Sequence, residues 1–280
     1  IVIEGAPFKI RAAFFDIDGT IVGKNHEISL RTKSAIKNLK ELGVILGFAT
    51  GRGSFATVKL GEELGITGPS MFFAGSLILK GSETLYQVEL SNLAIDALIR
   101  LSNEHKYHIE LYTKSDFYAE RSNSMLDIHQ QYSSQPAKIS PFKTIIENSN
   151  AVDGSPIIKS VIMAERGENE DQLKKLLSEV DGISVTYSYG AAHPDIVFAN
   201  IVDSKATREA AFNELCKILQ CSAAEIATFG DAEADCAFLR MAKFGFATDN
   251  AVQAAKDSAS YVTTSVDSGG VGLAIERFFL

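Results

Sequence analysis

The sequence predicts an α/β fold: a parallel-sheet core interrupted by an inserted α+β unit. Two observations predict it. Short, wholly apolar runs alternate with helical periodicity at both ends of the chain. The middle of the chain instead carries strands that alternate apolar with polar or aromatic residues. Runs apolar on both faces suit parallel strands covered by helices, whereas alternation suits a sheet with one wet face.

Taken in order, "RAAFF" reads as the first strand. Ala35, Ile36, Leu39 and Leu42 then follow helical spacing, and Gly43 ends that helix. "VILGFAT" is the second strand, and "MFFAG" is a third before Gly75. From about Ser82 to Ala199 come "TLYQVEL", "YHIELYT", "DFYAER", "KSVIMAE", "ISVTYSY" and "DIVFAN". Two amphipathic helices lie among them, one on Ala94, Ala97, Leu98 and Leu101, the other on Leu173, Leu176, Leu177 and Val180. The stretch "RSNSMLDIHQQYSSQPAKISPFK" is polar and reads as irregular or partly helical. After Ala199 the first pattern returns. Ala211, Leu215, Ile218 and Leu219 line a helix, "IATFG" is a strand, and Ala237, Phe238 and Met241 form another helix face. "FGFAT", "YVTT" and a last helix on Val271, Ala274, Ile275 and Phe278 complete the chain. The expected division is a Rossmann-like core from residues 1–81 and 200–280, with residues 82–199 inserted.

The composition narrows the function. A net charge of −8 argues against non-specific nucleic-acid binding, which leans on basic patches. No apolar run approaches the roughly 20 residues that span a membrane. "IVIEGAPFK" lacks the charge pattern and apolar centre of a signal peptide. Cys216, Cys221 and Cys236 show neither CxxC nor Cys/His ligand spacing, and read as free thiols in a reducing cytoplasm.

Sites in open α/β sheets form outside the carboxyl ends of the strands. After "RAAFF" stand Asp16, Asp18, Gly19 and Thr20. After "VILGFA" stand Thr50, Gly51 and Arg52; after "IATFG" stand Asp231 and Asp235. Lys205 lies near the start of the helix that follows "DIVFANIVDS". With these strands parallel, carboxylates, a hydroxyl and an ammonium converge on one rim. That set suits phosphoryl transfer, because a carboxylate can attack phosphorus. Two unit charges about 4 Å apart repel by roughly 4 kcal/mol at an effective dielectric near 20. A phosphate dianion facing several aspartates therefore needs a cation, and oxygen-only ligands suit Mg²⁺.

"DIDGT", "TGR", Lys205 and "GDAEAD" resemble, in order, the four motifs of the haloacid dehalogenase superfamily of phosphatases. The match covers nearly the whole chain. The insert resembles the type IIB cap of the Cof-like branch, and "FATDNA" and "GGVGLAIERF" are similar to that branch's tail motifs. The resemblance implies Asp16 as nucleophile and Asp18 as acid, then base. It implies Mg²⁺ on the Asp16 carboxylate, the Asp18 carbonyl and Asp231, with Asp235 counted as a further metal residue. It implies a phosphate-binding group of Thr50, Gly51 and Lys205, with Thr50 and Lys205 catalytic; Gly19, Thr20 and Arg52 are expected to bind substrate beside them, under a cap that selects it. Two departures stand out: Ala234 occupies the place of the branch's Asn in G-D-x-x-N-D, and Gly75-Ser76 that of its Asn-Gly.

The expected activity is hydrolysis of a small phosphorylated metabolite through an aspartyl-phosphate. The alternatives are a phosphomutase of the same superfamily and a weakly active phosphate-ligand-binding protein. A receiver-like signalling protein would share the strand-end residues at about half this length. His105, His108 and His129 show no metal-ligand spacing, and His193 reads as a loop residue. Most of Tyr112, Tyr118, Arg121, Tyr187 and Tyr189 read as sheet-face packing residues.

Overall fold

A computed structural model describes residues 7–131, 133, 135–150, 154–190 and 192–280; the first six residues, and Tyr132 and Ser134 of the polar middle stretch, lie outside the described residues. The chain forms two compact units. One comprises Ile1–Arg52, Thr57–Tyr86 and Thr207–Leu280; the other comprises Gly53–Ala56 and Gln87–Ala206.

The first unit opens with β1 (Ala12–Phe15), α1 (Leu30–Glu41), β2 (Ile45–Phe48) and α2 (Val58–Leu64). Ser29 caps α1 by accepting the Thr32 N–H, and Ala35, Ile36 and Leu39 are its buried face. Leu42, expected on that face, follows the last helical turn and is 63% exposed. Next come β3 (Ser70–Phe72), β4 (Leu77–Lys80) and β5 (Glu83–Gln87). "MFFAG" thus yields a strand, but in a separate three-stranded sheet of order β3-β4-β5. A parallel bridge, Ala49 to Met71, joins it to β2's extension.

The second unit contains α3 (Asn92–His105), β6 (His108–Tyr112), β7 (Phe117–Ala119), α4 (Ser124–Gln130), β8 (Lys138–Ile139), α5 (Phe142–Ser149), β9 (Lys159–Glu165), α6 (Glu168–Ser178), β10 (Ile183–Tyr189) and β11 (Ile196–Asp203). The six strands order as β10-β11-β9-β6-β7-β8. Neighbours are antiparallel except β7 and β8. Ile109, Leu111, Ile162 and Val197 pack with Leu98 of α3 and with Leu173 and Leu177 of α6.

The chain crosses between the units at 52/53, 56/57, 86/87 and 206/207, where the expected crossings were 81/82 and 199/200. β5 continues the β3-β4 sheet, so the chain up to Tyr86 stays with the first unit, and β11 runs unbroken through residues 199/200, paired with all of β10.

The expected wet face is real on β10, where burial alternates, but β6 is buried throughout. Glu110 is fully buried and accepts a hydrogen bond from the Tyr112 hydroxyl at 2.7 Å. His129 Nδ1 of α4 lies 2.7 Å and His108 Nε2 3.0 Å from its oxygens. Burial alone would push the Glu110 carboxyl up. Hydrogen bonds from His108, His129 and Tyr112 together outweigh it and hold it down at about 2. A depressed carboxyl stabilises the fold above its ordinary value of 4.5, and that contribution fades as pH falls toward about 2. The shift corresponds to about 3 kcal/mol. Glu110→Gln should lower unfolding stability by about that amount at neutral pH, with the gap to wild type closing between pH 4.5 and 2 in denaturant titrations.

The first unit resumes with α7 (Arg208–Leu219), β12 (Ile226–Gly230), α8 (Cys236–Met241), β13 (Phe244–Ala247), α9 (Gln253–Ser258), β14 (Tyr261–Val262) and α10 (Gly270–Phe278). Its main sheet is wholly parallel in the order β14-β13-β12-β1-β2. Phe15, Phe229 and Phe246 stack across three strands at 5.0 and 4.9 Å, against α1 and α10 on one face. Phe14 and Phe238 pack with Phe212 and Leu215 of α7 on the other. Cys216, Cys221 and Cys236 are free, and among the described residues no helix is long and apolar enough to cross a membrane.

Candidate active site

Register decides what meets at the sheet's edge. Phe15 pairs with Phe48 on one side and Phe229 on the other. The three strands therefore end level. Asp16, Ala49–Thr50 and Gly230–Asp231 emerge together at their carboxyl ends. The Asp16 N–H still donates to Phe229 O at 2.9 Å, and that of Ala49 to Phe15 O at 2.8 Å. This backbone is fixed by the sheet up to the reacting residue.

The loop after β1 is tightly closed. Ile17 O accepts the N–H groups of Ile21 and Val22, and the buried Ile17 and Ile21 side chains pin it to the core. Gly19 sits at φ +82°, and a Cβ there would overlap the Asp231 carboxylate. Asn250 holds the loop from outside, donating to Gly19 O at 2.8 Å while its Oδ1 accepts the Val266 N–H. Gly19→Ala combines a backbone penalty with a collision at an acidic group. It should reduce turnover by about 100-fold or more, read as kcat/KM on a purified, folded variant.

Asp16, Asp231 and Asp235 each bring a carboxylate oxygen within 4.8 Å of the others. Asp16 is 7% exposed. Asp235 is fully buried and committed: Oδ2 accepts the N–H groups of Asp231 and Ala232 at 2.8 and 2.9 Å, and Oδ1 accepts Arg208 Nη1 at 2.5 Å. Arg208 Nη1 also donates to Ala49 O at 3.1 Å, and Nη2 lies 3.8 Å from Asp16 Oδ1. Thr20 Oγ1 donates to Asp231 Oδ1 at 2.9 Å, so it orients a carboxylate. Asp18 is paired with Arg52 through two bonds, 2.8 and 2.5 Å.

Thr50 is buried, its Oγ1 accepting the Arg52 N–H at 3.2 Å. Gly51 is exposed, with open space where a Cβ would stand. Ala234 is exposed, and the neighbours able to replace an amide there, Asp235 and Asn250, are engaged as described.

Lys205 belongs to the second unit and is exposed, and its backbone N–H donates to Asp203 Oδ1 at 2.9 Å. Among the described residues the cation within the acid cluster is Arg208, three positions later. Thr207 caps α7 by accepting the Ala210 N–H, which places Arg208 at the first helical position. The signal for it was in the sequence. Arg208, Ala211, Phe212, Leu215 and Leu219 share one helical face, and a charge on an apolar face needs a buried partner.

The turn after β3 is left-handed: Phe73, Ala74 and Gly75 all have positive φ. Phe73 and Ala74 donate to the carbonyls of Arg52 and Thr50, and Gly75 stands against Thr207 O. This turn braces two of the site's loops at once.

The charge balance is unfavourable as it stands. Four carboxylates, of Asp16, Asp18, Asp231 and Asp235, face two guanidiniums, of Arg52 and Arg208. Burial, and then Asp235, pushes the Asp16 carboxyl well up, with Arg208 opposing. Burial pushes Asp231 up to about 6 against the Thr20 hydrogen bond. A surplus of negative charge on hard oxygen donors fits a divalent cation such as Mg²⁺ or Ca²⁺.

The profile of the haloacid dehalogenase-like hydrolases matches residues 13–275. The putative phosphatase YxeH of Bacillus subtilis is 24% identical over 271 residues, covering 95% of this chain and 97% of YxeH. TM0651 of Thermotoga maritima superposes with a TM-score of 0.85 at 23% identity, over 97% of this chain and 98% of that one. BT4131, a sugar phosphatase of HAD subclass IIB, superposes with a TM-score of 0.76 at 22% identity, over 96% and 98%. With acidic strand ends, a buried guanidinium and a profile match across nearly its whole length, the chain belongs to the haloacid dehalogenase-like hydrolases, as a phosphatase of the Cof-like branch.

Proposed function

We propose that this enzyme hydrolyses a small phosphorylated metabolite, a sugar phosphate or a similar monoester, through a phosphorylated Asp16. The observation that carries the reading is Asp16 itself: a buried carboxylate at the end of a central parallel strand, 3.8 Å from a buried guanidinium. Arg208 Nε is buried and, among the described residues, has no hydrogen-bond acceptor. An anion's oxygen would satisfy it, which supports a phosphate there. BT4131's substrate class makes sugar phosphates the first compounds to test.

Asp16 Oδ attacks phosphorus and the ester P–O bond breaks. Asp18 gives its proton to the leaving oxygen, then takes one from the water that attacks the phosphorylated Asp16. Phosphate departs and Asp16 is regenerated. Asp16 and Asp231, with the Asp18 carbonyl, would hold Mg²⁺; when bound it supplies positive charge against the repulsion between carboxylate and phosphate. Thr20 orients Asp231, and Asp235 orients Arg208 and the turn after β12. Thr50 and Gly51 remain the proposed phosphate-binding loop, and Arg208 takes the cationic role that the sequence pointed to in Lys205.

The test is a panel of phosphorylated metabolites with free-phosphate detection, with Mg²⁺ and with a chelator. Phosphate release that stops in chelator and returns with Mg²⁺ is the expected result. Undiminished release after verified metal removal would overturn the metal role. An isomeric sugar phosphate in place of free phosphate would make the enzyme a mutase.

A further inference from the structure

Arg52 makes a contact that a phosphate ligand does not need. Its Nε donates to Asp18 Oδ2 at 2.8 Å and its Nη2 to Asp18 Oδ1 at 2.5 Å. This is a planar fork on a planar carboxylate, which fixes the carboxylate's rotation as well as its position. Asp18 needs such a hold. Its side chain is 61% exposed, unlike the buried Asp16 and Asp235, and among the described residues it has no other ion pair. Arg52 is itself tied down. Its N–H donates to Thr50 Oγ1, and its carbonyl accepts the N–H of the left-handed Phe73.

We propose that Arg52 is the positioning residue for Asp18: it holds the carboxyl group that donates and then takes the proton in the orientation that meets the leaving oxygen. The inference rests on the phosphatase reading above. It uses one lone pair on each Asp18 oxygen and leaves the others for the leaving group and the water. A lysine cannot reproduce this, because a point charge attracts the carboxylate without fixing its plane.

Leaving-group chemistry separates positioning from phosphate binding. The ratio kcat/KM reports the steps through first release of the alcohol, so the later attack of water does not enter it. An alkyl phosphate needs a proton on its leaving oxygen, whereas p-nitrophenyl phosphate leaves without one. Arg52→Ala and Arg52→Lys are measured on glucose 6-phosphate, or the best sugar phosphate of the panel, and on p-nitrophenyl phosphate. The expected result is a loss of about 100-fold in kcat/KM on the sugar phosphate and under about 10-fold on the aryl ester, for both variants. Asp18→Asn should give the same pattern, and adding Arg52→Ala to it should cost little more. Equal losses on both esters, or a loss from Arg52→Ala that Arg52→Lys restores, would overturn the proposal in favour of phosphate binding. Additive losses in the double variant would overturn it too. If wild type hydrolyses neither ester, the phosphatase reading itself fails, and this assignment with it.

Discussion

Asp16→Asn should abolish turnover, by at least about 10⁴-fold, and should leave the protein as stable as wild type or more so. The amide keeps the shape of the carboxylate but is a poor nucleophile. The stability arm gives the prediction its force. Asp16 is buried among Asp18, Asp231 and Asp235, with Arg208 the nearer guanidinium that opposes their repulsion. Removing one negative charge from that cluster relieves repulsion, so a gain on the order of 1 kcal/mol is expected in metal-free buffer. Adding Mg²⁺ should raise the melting temperature of wild type more than that of the variant, because the variant lacks one ligand. An inactive variant that is also much less stable would point to a structural role for Asp16, and substantial residual turnover would take the nucleophile's role from it.

The parts legible in the sequence are those whose cause is local. An apolar strand followed at once by Asp16, Asp18 and Gly19 needs no long-range information, and the parallel register then carries Thr50 and Asp231 to the same edge. Val271, Ala274, Ile275 and Phe278 are buried as their spacing requires. What the sequence hid depends on tertiary partners. β6 alternates as a half-wet strand does, yet its polar face is buried because Glu110, His108, His129 and Tyr112 satisfy one another. "MFFAG" has a core strand's composition, but among the described residues only Met71 of this stretch bridges to the main sheet before the chain turns left-handed at Phe73 and Ala74. Arg208 shares its helical face with Ala211, Phe212, Leu215 and Leu219, but nothing local identifies its partner Asp235, 27 residues away.

Arg208→Ala should be the most damaging change outside the aspartates, whereas Lys205→Ala should leave kcat/KM within about threefold. Arg208 is 7% exposed and Asp235 fully buried, so removing the guanidinium strands a carboxylate in the core. Breaking a buried pair on one side costs about 3–5 kcal/mol. The loss also reaches the chemistry. Without Arg208 the Ala49 carbonyl loses a donor, Asp235 loses what holds Oδ1, and Asp16 loses a guanidinium that opposes its repulsion from the neighbouring carboxylates. A fall of about 10³-fold in kcat/KM is expected, on the scale of removing a preorganised charge from a phosphoryl-transfer site. Arg208→Lys tests geometry apart from charge. An ammonium keeps the pair with Asp235 but cannot also present the Nε–H that lies buried without an acceptor. It should therefore recover most of the stability and only part of the activity, with the deficit in phosphate affinity. The measurements are melting temperature, inorganic-phosphate inhibition and kcat/KM for the three variants side by side. If Lys205→Ala loses activity and Arg208→Ala retains it, the phosphate's cation is the lysine that the motif order pointed to, and the buried arginine is only structural.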